Sequence, residues 1–276
     1  MVRHARHARL DQELVRRGLA RSREHAVELV AAGRVRLAGQ PATKPATAVA
    51  VTASVSLVDA GGDPAYASRG GHKLAGALDA FGSTGTLEPG MSVAGRHCLD
   101  AGASTGGFTD VLLRRGAATV TAVDVGYGQL AWTLRVDPRV RVVDRTNVRA
   151  LAPATLAAPA GLVTADLSFI SLAVVLPALV RCACPDADFV LLVKPQFEVG
   201  RGRLGRGGVV RDPQLRADAV AAVAAAAGTL GLGGCGVVAS GLPGPAGNVE
   251  YFLWLRAGVA ALDAGELARA VAAGPA

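Results

Sequence analysis

Four polar side chains stand where the surrounding sequence is apolar. Lys73 lies in Ser68-Arg-Gly-Gly-His-Lys-Leu-Ala, and Asp166 ends the run Leu162-Val-Thr-Ala. Lys194 follows Phe189-Val-Leu-Leu-Val, and Glu250 opens Tyr251-Phe-Leu-Trp-Leu. Any one of them reads equally well as an ordinary exposed charge at a strand end. As a Lys–Asp–Lys–Glu set they have a chemical logic, the removal of a proton from a weakly acidic hydroxyl such as a ribose 2′-OH. A lysine acts as a base only if its pKa falls from about 10.4 towards 7, a difference of about 4 kcal/mol. A second ammonium and partial burial supply shifts of that size, while acids orient the amines and moderate their repulsion. Lys194 is the expected base, with Lys73, Asp166 and Glu250 orienting and tuning it.

Such a set needs a scaffold that gathers residues far apart in the chain. Strand-like runs fall at Cys98–Ala101, Val120–Val123, Arg141–Val143, Leu162–Asp166, Phe189–Val193, Gly236–Ala239 and Tyr251–Leu255. Helical patterns at Phe108–Arg115, Leu130–Val136, Leu172–Arg181 and Pro213–Ala227 lie between most of them. The last has Asp212 as N-cap and Pro213 at its first position. Alternating strands and helices predict an α/β fold, a doubly wound, mostly parallel, Rossmann-like sheet covered on both faces. Ligands bind such sheets beyond the carboxyl ends of the strands. Strand arithmetic puts Asp166, Lys194 and Glu250 on that edge, and Lys73 reaches it if a helix carries it.

The first strand leads into Asp100-Ala-Gly-Ala-Ser-Thr-Gly-Gly-Phe. Gly102 and Gly106 let backbone pass close to a ligand, and Ser104, Thr105, Gly107 and Phe108 complete the loop. Asp124, 24 residues beyond Asp100, is placed to accept hydrogen bonds from a ribose diol. A Gly-rich turn with a distant acid is shared with dinucleotide enzymes, but their G-x-G-x-x-G motif admits a pyrophosphate at a helix N-terminus. Here the loop opens with an acid, which repels pyrophosphate and suits a ligand carrying an amine and a sulfonium. S-adenosylmethionine is therefore the expected cofactor.

The net charge of +7 and pI near 9.8 point to a polyanionic partner. Residues 1–45 hold ten Lys/Arg against four acids, leaving nineteen basic and eighteen acidic side chains in the rest. A basic head on a nearly neutral body fits nucleic-acid docking by the head. Leu10, Leu14 and Val15 predict one short helix ending at Gly18. Ser22 caps a second, with Ala26, Leu29 and Val30 apolar and Gly33 closing it. Val35 and Leu37, then Val49, Val51, Val55 and Leu57, read as strands, so this head is a small α+β domain. Arg9, Arg16, Arg17, Arg21, Arg23, Arg34 and Arg36 are its candidate RNA ligands. Asp59-Ala-Gly-Gly-Asp-Pro reads as a linker. The expected division is an RNA-binding domain at 1–60, a linker at 61–67 and a catalytic domain at 68–276.

Four scattered cysteines with no C-x-x-C pair argue against a structural metal and fit a reducing cytoplasm. Ala219 to Leu242 carries no charge over 24 residues, but its Ala/Gly composition predicts a helix, a turn and a buried strand rather than a membrane span. Gly200-Arg-Gly-Arg-Leu-Gly-Arg-Gly-Gly reads as a mobile loop over the active edge or a plain surface loop.

The strings Arg9-Leu-Asp-Gln-Glu-Leu, Arg17-Gly-Leu-Ala-Arg-Ser-Arg and Ala32-Gly-Arg-Val-Arg-Leu resemble the αL RNA-binding module. With Ser68–Leu74, Asp100–Asp110, Asp166–Leu172, Lys194–Glu198 and Gly247–Leu255, the chain from Arg9 to about Arg256 resembles the TlyA (haemolysin A) family. That family joins the αL module to an FtsJ-like methyltransferase domain. The resemblance implies 2′-O-methylation of cytidine in ribosomal RNA, with ribosomal subunits as partners, and a catalytic set of Lys73, Asp166, Lys194 and Glu250. It places Asn147 and Asp166 beside the cofactor, although Asp144-Arg-Thr-Asn147 stands where the family often has Glu-Arg-Thr-Asn. Two alternatives stay open at this point: a base methyltransferase and a non-catalytic RNA-binding assembly factor. A membrane-lytic role has no basic amphipathic helix with a bulky apolar face to support it.

Overall fold

The computed structural model describes residues 7–20, 22–50, 53–57, 66–84 and 90–274. The chain divides into two compact units, Met1–Ala65 and Tyr66–Ala276. Arg21, Val51 and the linker stretch at 59–64 lie outside the described residues.

In the N-terminal unit, β1 (His7–Arg9) leads into α1 (Leu10–Arg16), and Gly18 turns the chain at φ 70°. Ser22 caps α2 (Arg23–Ala31) by accepting from His25 N at 3.2 Å, and Gly33 ends it at φ 68°, as the capping pattern predicts. Then come β2 (Val35–Leu37), β3 (Gln40–Pro41), β4 (Ala48–Ala50) and β5 (Val55–Leu57). β2 lies between β3 and β5, while β4 pairs with β1. Leu10, Leu14, Ala26, Leu29, Val30, Val35 and Val49 form this unit's core.

The larger unit opens with α3 (Gly70–Thr84). It continues through β6 (His97–Ala101), α4 (Gly107–Arg114), β7 (Thr119–Val123), α5 (Trp132–Arg135), β8 (Val140–Val143) and β9 (Ala160–Ala165). Next are α6 (Leu172–Arg181), β10 (Ala183–Val193), α7 (Pro195–Glu198) and α8 (Pro213–Gly228). β11 (Leu232–Ala239), β12 (Tyr251–Ala257) and α9 (Ala264–Ala272) complete it. The seven strands lie in the order β11-β12-β10-β9-β6-β7-β8. β12 runs antiparallel to both neighbours, and the other six strands share one direction. The expected doubly wound sheet is thus present.

Side chains alternate between the two faces, as strand geometry requires. Leu99, Val163, Leu191 and Leu253 pack against α6, α8 and α9. Cys98, Leu162, Val190 and Phe252 pack against α3 and α4. The run expected from Gly236 begins earlier, at Leu232, because Leu232, Gly233 and Gly234 pair with Ala257, Arg256 and Leu255 of β12; a Cβ at Gly233 or Gly234 would collide with the backbone of Val259, Ala260 or Leu262. The helix expected over Leu130–Val136 contracts to Trp132–Arg135, since Ala131 is still outside the helix and bonds its N–H to Thr105 O at 3.2 Å. Among the described residues no helix is long and apolar enough to cross a membrane.

Candidate active site

The carboxyl ends of β6, β7, β9 and β10 and the amino end of the reversed β12 meet at one edge of the sheet. Asp166 follows β9, and its N–H still bonds Ala101 O at 3.0 Å. Lys194 follows β10 as the N-cap of α7. Because β9 and β10 are adjacent and parallel, the two side chains come together, with Lys194 Nζ 2.6 Å from Asp166 Oδ1 and 3.1 Å from Ser168 Oγ. Glu250 stands one residue before β12, and α3 brings Lys73 to it, Nζ to Oε2 at 2.6 Å. Lys73 and Glu250 are 8 % and 1 % exposed. The four sequence candidates therefore resolve into two ion pairs on one edge.

The first turn of α3 lies against the Asp166 pair: a Cβ on Gly70 would sit 3.8 Å from Asp166 Oδ2. The loop after β6 closes the other side. Gly102 has φ 87°, and a Cβ there would strike the carbonyl oxygen of Asp166. Gly106 caps α4 at φ 99°, and its absent side chain makes room for Leu130 and Leu134. Gly107 leaves space for Ser68 and for the N–H of Gly71.

Asp124 binds this loop from the end of β7. Its Oδ2 accepts from Ser104 N at 2.8 Å and its Oδ1 from Gly126 N at 2.7 Å. Asp100 is fully buried; one oxygen accepts from Thr109 Oγ1 at 2.6 Å, and the other lacks a partner. Burial pushes its carboxyl up to about 7, with the charges of Asp166 and Asp124 adding to the rise and the Thr109 bond opposing it. Phe108 lies in the core, 5.9 Å from the ring of Phe252. Asn147 is exposed, and its side chain caps a short 3-10 turn through Arg149 N at 3.0 Å.

Two further observations mark this edge as a functional surface. Among the described residues, Asp100, Gln196 and Glu250 each bury one side-chain oxygen that lacks a partner, and all three lie within three residues of the site-facing strand ends. Ser104, Arg145 and Phe169 adopt left-handed φ values of 47°, 54° and 65° in the loops after β6, β8 and β9. Non-glycine residues persist there only where the surroundings enforce the strain.

Sequence reasoning gave no role to Thr109, Ser168, Glu198 or Asn248. Glu198 accepts from Ser171 Oγ at 2.6 Å and from Leu172 N at 2.8 Å. Asn248 is buried and takes Val210 N at 2.9 Å while donating to Gly208 O at 3.0 Å. It thereby pins one end of the Arg/Gly segment, which forms short 3-10 turns at Arg201–Arg203 and Arg206–Gly208.

In the N-terminal unit two buried acids organise the arginines. Asp11 meets Arg9 at 2.8 Å and Arg23 at 3.2 Å. Glu13 meets Arg16 and Arg17, each at 2.6 Å. The two guanidiniums hold the Glu13 carboxyl down at about 2, and Asp11 is likewise well below the usual carboxylate range, chiefly through Arg9. Each acid is outnumbered two to one, so each cluster retains a positive charge. Arg34 and Arg36 flank Val35 on β2 and are half-buried.

The doubly wound sheet with one reversed strand carries an acid-opened glycine loop and two Lys–acid pairs at its carboxyl edge, an architecture of the nucleotide-binding type. Comparison with protein families matches residues 66–257 to the FtsJ-like methyltransferases and residues 8–55 to the S4 domain. The chain belongs to the TlyA family of FtsJ-like methyltransferases. It is 64 % identical over 252 residues, 91 % of each chain, to the 16S/23S rRNA (cytidine-2′-O)-methyltransferase TlyA of Mycobacterium tuberculosis. It is 34 % identical to the 23S rRNA (cytidine-2′-O)-methyltransferase TlyA of Campylobacter jejuni, covering 68 % of this chain and 70 % of the relative. A solved structure from Streptococcus thermophilus, described as a hemolysin, matches with a TM-score of 0.75 and 36 % identity, covering 98 % of this chain and 96 % of that one. The family resemblance read from the sequence is thus shown.

Proposed function

We propose that this chain transfers a methyl group from S-adenosylmethionine to the ribose 2′-hydroxyl of a cytidine in ribosomal RNA. The observation that carries the reading is the Lys194–Asp166 pair, 2.6 Å apart, packed against a glycine loop whose buried acid has one oxygen without a partner. The substrate class agrees with the names of the relatives.

The loop fits the donor on physical grounds. Gly102 lets the loop pack directly on the carbonyl of Asp166, so the loop and the Lys194–Asp166 pair would share one wall of the donor site. The unpartnered oxygen of Asp100 suits an ammonium, which would restore the ionised carboxylate. Asp124 spends one lone pair of each oxygen on the loop and retains capacity for a ribose diol. Asp100, Asp124, the backbone at 102–107 and Asn147 would hold the donor. When bound it supplies an electrophilic methyl on a sulfonium, whose charge favours the neutral amine of a nearby lysine.

Lys194 takes the 2′-hydroxyl proton at Nζ, with Asp166 and Ser168 fixing the direction of the amine. Lys73 is locked by Glu250, and its ammonium would serve as a fixed donor to the developing oxyanion, where preorganised donors are most effective. The S4 unit docks RNA through Arg9, Arg16, Arg17, Arg21, Arg23, Arg34 and Arg36 by phosphate contact. The domains divide docking, at 1–60, from chemistry, at 68–276, and both act in the cytoplasm where ribosomal subunits reside.

The test is transfer of labelled methyl from S-adenosylmethionine to isolated ribosomal subunits, followed by nucleoside analysis. The expected product is 2′-O-methylcytidine. Label on a base would overturn ribose methylation, and full activity in Lys194→Ala would overturn the assignment of the base.

A further inference from the structure

We propose that Glu198 is a positioning residue for methyl transfer, fixing the loop after β9 against α7 so that Lys194 faces Asp166. The inference rests on the assignment of Lys194 as the base and extends it to a side chain with no place in that chemistry.

Two segments build this half of the site. Residues 166–171 connect β9 to α6, and Lys194 with α7 follows β10. They are joined at three levels. At the reacting end, Lys194 meets Asp166 and Ser168. In the middle, the rings of Phe169 and Phe197 lie 5.2 Å apart. At the far end, Glu198 takes the hydroxyl of Ser171 and the N–H of Leu172, both at the N-terminus of α6.

The far contact is specific. Ser171 is the N-cap of α6 and also accepts from Ala173 N at 3.2 Å. One carboxylate therefore satisfies two donors of a helix start that would otherwise lack partners, and its charge suits the positive end of α6. The middle contact is weaker, because Phe169 is 91 % exposed and sits at a left-handed φ of 65°. A loop strained at Phe169 returns to a relaxed conformation unless both ends are held. The Asp166 end is held by its backbone bond to Ala101 and by Lys194, and Glu198 anchors the opposite end through Ser171 and Leu172.

Small displacements of a reacting group cost up to about 100-fold in rate. In Glu198→Ala, kcat for methyl transfer to ribosomal subunits falls on the order of 10- to 100-fold, while KM and Kd for S-adenosylmethionine stay within about twofold. Glu198→Gln restores most of the rate, since its carbonyl still accepts from Leu172 N and Ser171 can accept from its amide. Ser171→Ala, which removes one of the two bonds, gives an intermediate loss of about 2- to 10-fold. Wild-type kcat in Glu198→Ala, a loss confined to KM for S-adenosylmethionine, or failure of Glu198→Gln to recover activity would each overturn the proposal. Lys194→Ala run alongside separates the two readings. Activity retained there defeats the base assignment, whereas activity lost there with Glu198→Ala unaffected defeats the positioning role alone. Should Glu198→Ala not fold, the ordering of Ser171→Ala and Glu198→Gln decides the matter.

Discussion

Lys73 Nζ lies 2.6 Å from Glu250 Oε2, a contact that spans 177 positions of the chain. Both side chains are almost fully buried, so neither charge is stable there alone. Glu250→Ala leaves Lys73 unpaired and lowers the unfolding free energy by about 3–5 kcal/mol. The double substitution Lys73→Met with Glu250→Leu removes both charges and is less destabilising than Glu250→Ala alone. Urea denaturation of the three proteins checks the ordering.

Asp100 gives the donor-free protein a stability that depends on pH. Its carboxyl titrates at about 7 when folded, raised by burial, and near 3.9 when unfolded. The folded state keeps a proton that the unfolded state releases, so stability falls as pH rises from about 4 to about 7 and levels off above that. Asp100→Asn abolishes this slope and is the more stable protein at pH 8, while binding S-adenosylmethionine more weakly. Thermal melts between pH 5 and pH 8, with and without the donor, measure both effects.

Gly102→Ala imposes a Cβ on a residue at φ 87° and drives it into the carbonyl of Asp166. The backbone conformation alone costs about 1–3 kcal/mol, and relief of the collision moves Asp166 away from Lys194. Loss of stability together with loss of methyl transfer is expected in calorimetry and turnover assays.

If the N-terminal arginines dock RNA phosphates as proposed, their contacts are salt-sensitive. Arg34→Ala and Arg36→Ala each weaken RNA binding across sequences and reduce the slope of log K against log salt by about 0.7–0.9. Affinity for S-adenosylmethionine, measured by calorimetry, stays unchanged. In the same unit Glu13 is held down at about 2 by Arg16 and Arg17. Its contribution to stability is present above about pH 4.5 and is lost as pH falls towards 2.

Most of the sheet was legible because apolar runs ending in polar residues carry both the strand and its active end. Leu172–Arg181 matches α6 to the residue, since Ser171 caps it and Leu172, Val175, Leu176 and Leu179 recur at helical spacing. The four candidates Lys73, Asp166, Lys194 and Glu250 were visible as charges in apolar company, but their pairing was not. Which lysine meets which acid depends on β12 running backwards beside β10, and no local pattern records that. α9 escaped notice although Asp263 and Glu266 form a capping signal, with Glu266 N donating to Asp263 Oδ1 at 2.7 Å, because the Ala-rich stretch around it shows little periodicity. Glu198 and Asn248 fall inside two of the strings that carry the family resemblance but had no assigned role, because their partners lie 26 to 40 positions away.

The reversed β12 lies between β10 and β11, and this has a consequence for birth of the protein on the ribosome. Until residues 251–257 emerge, the apolar edge Phe189–Val193 has no neighbour on that side. At synthesis rates of roughly 5–20 residues per second the gap lasts roughly 3–12 seconds. During it the nascent chain displays an open strand edge suited to pairing with the wrong sequence, and the second ion pair does not yet exist. Competence for chemistry therefore arrives abruptly, with the insertion of one late strand.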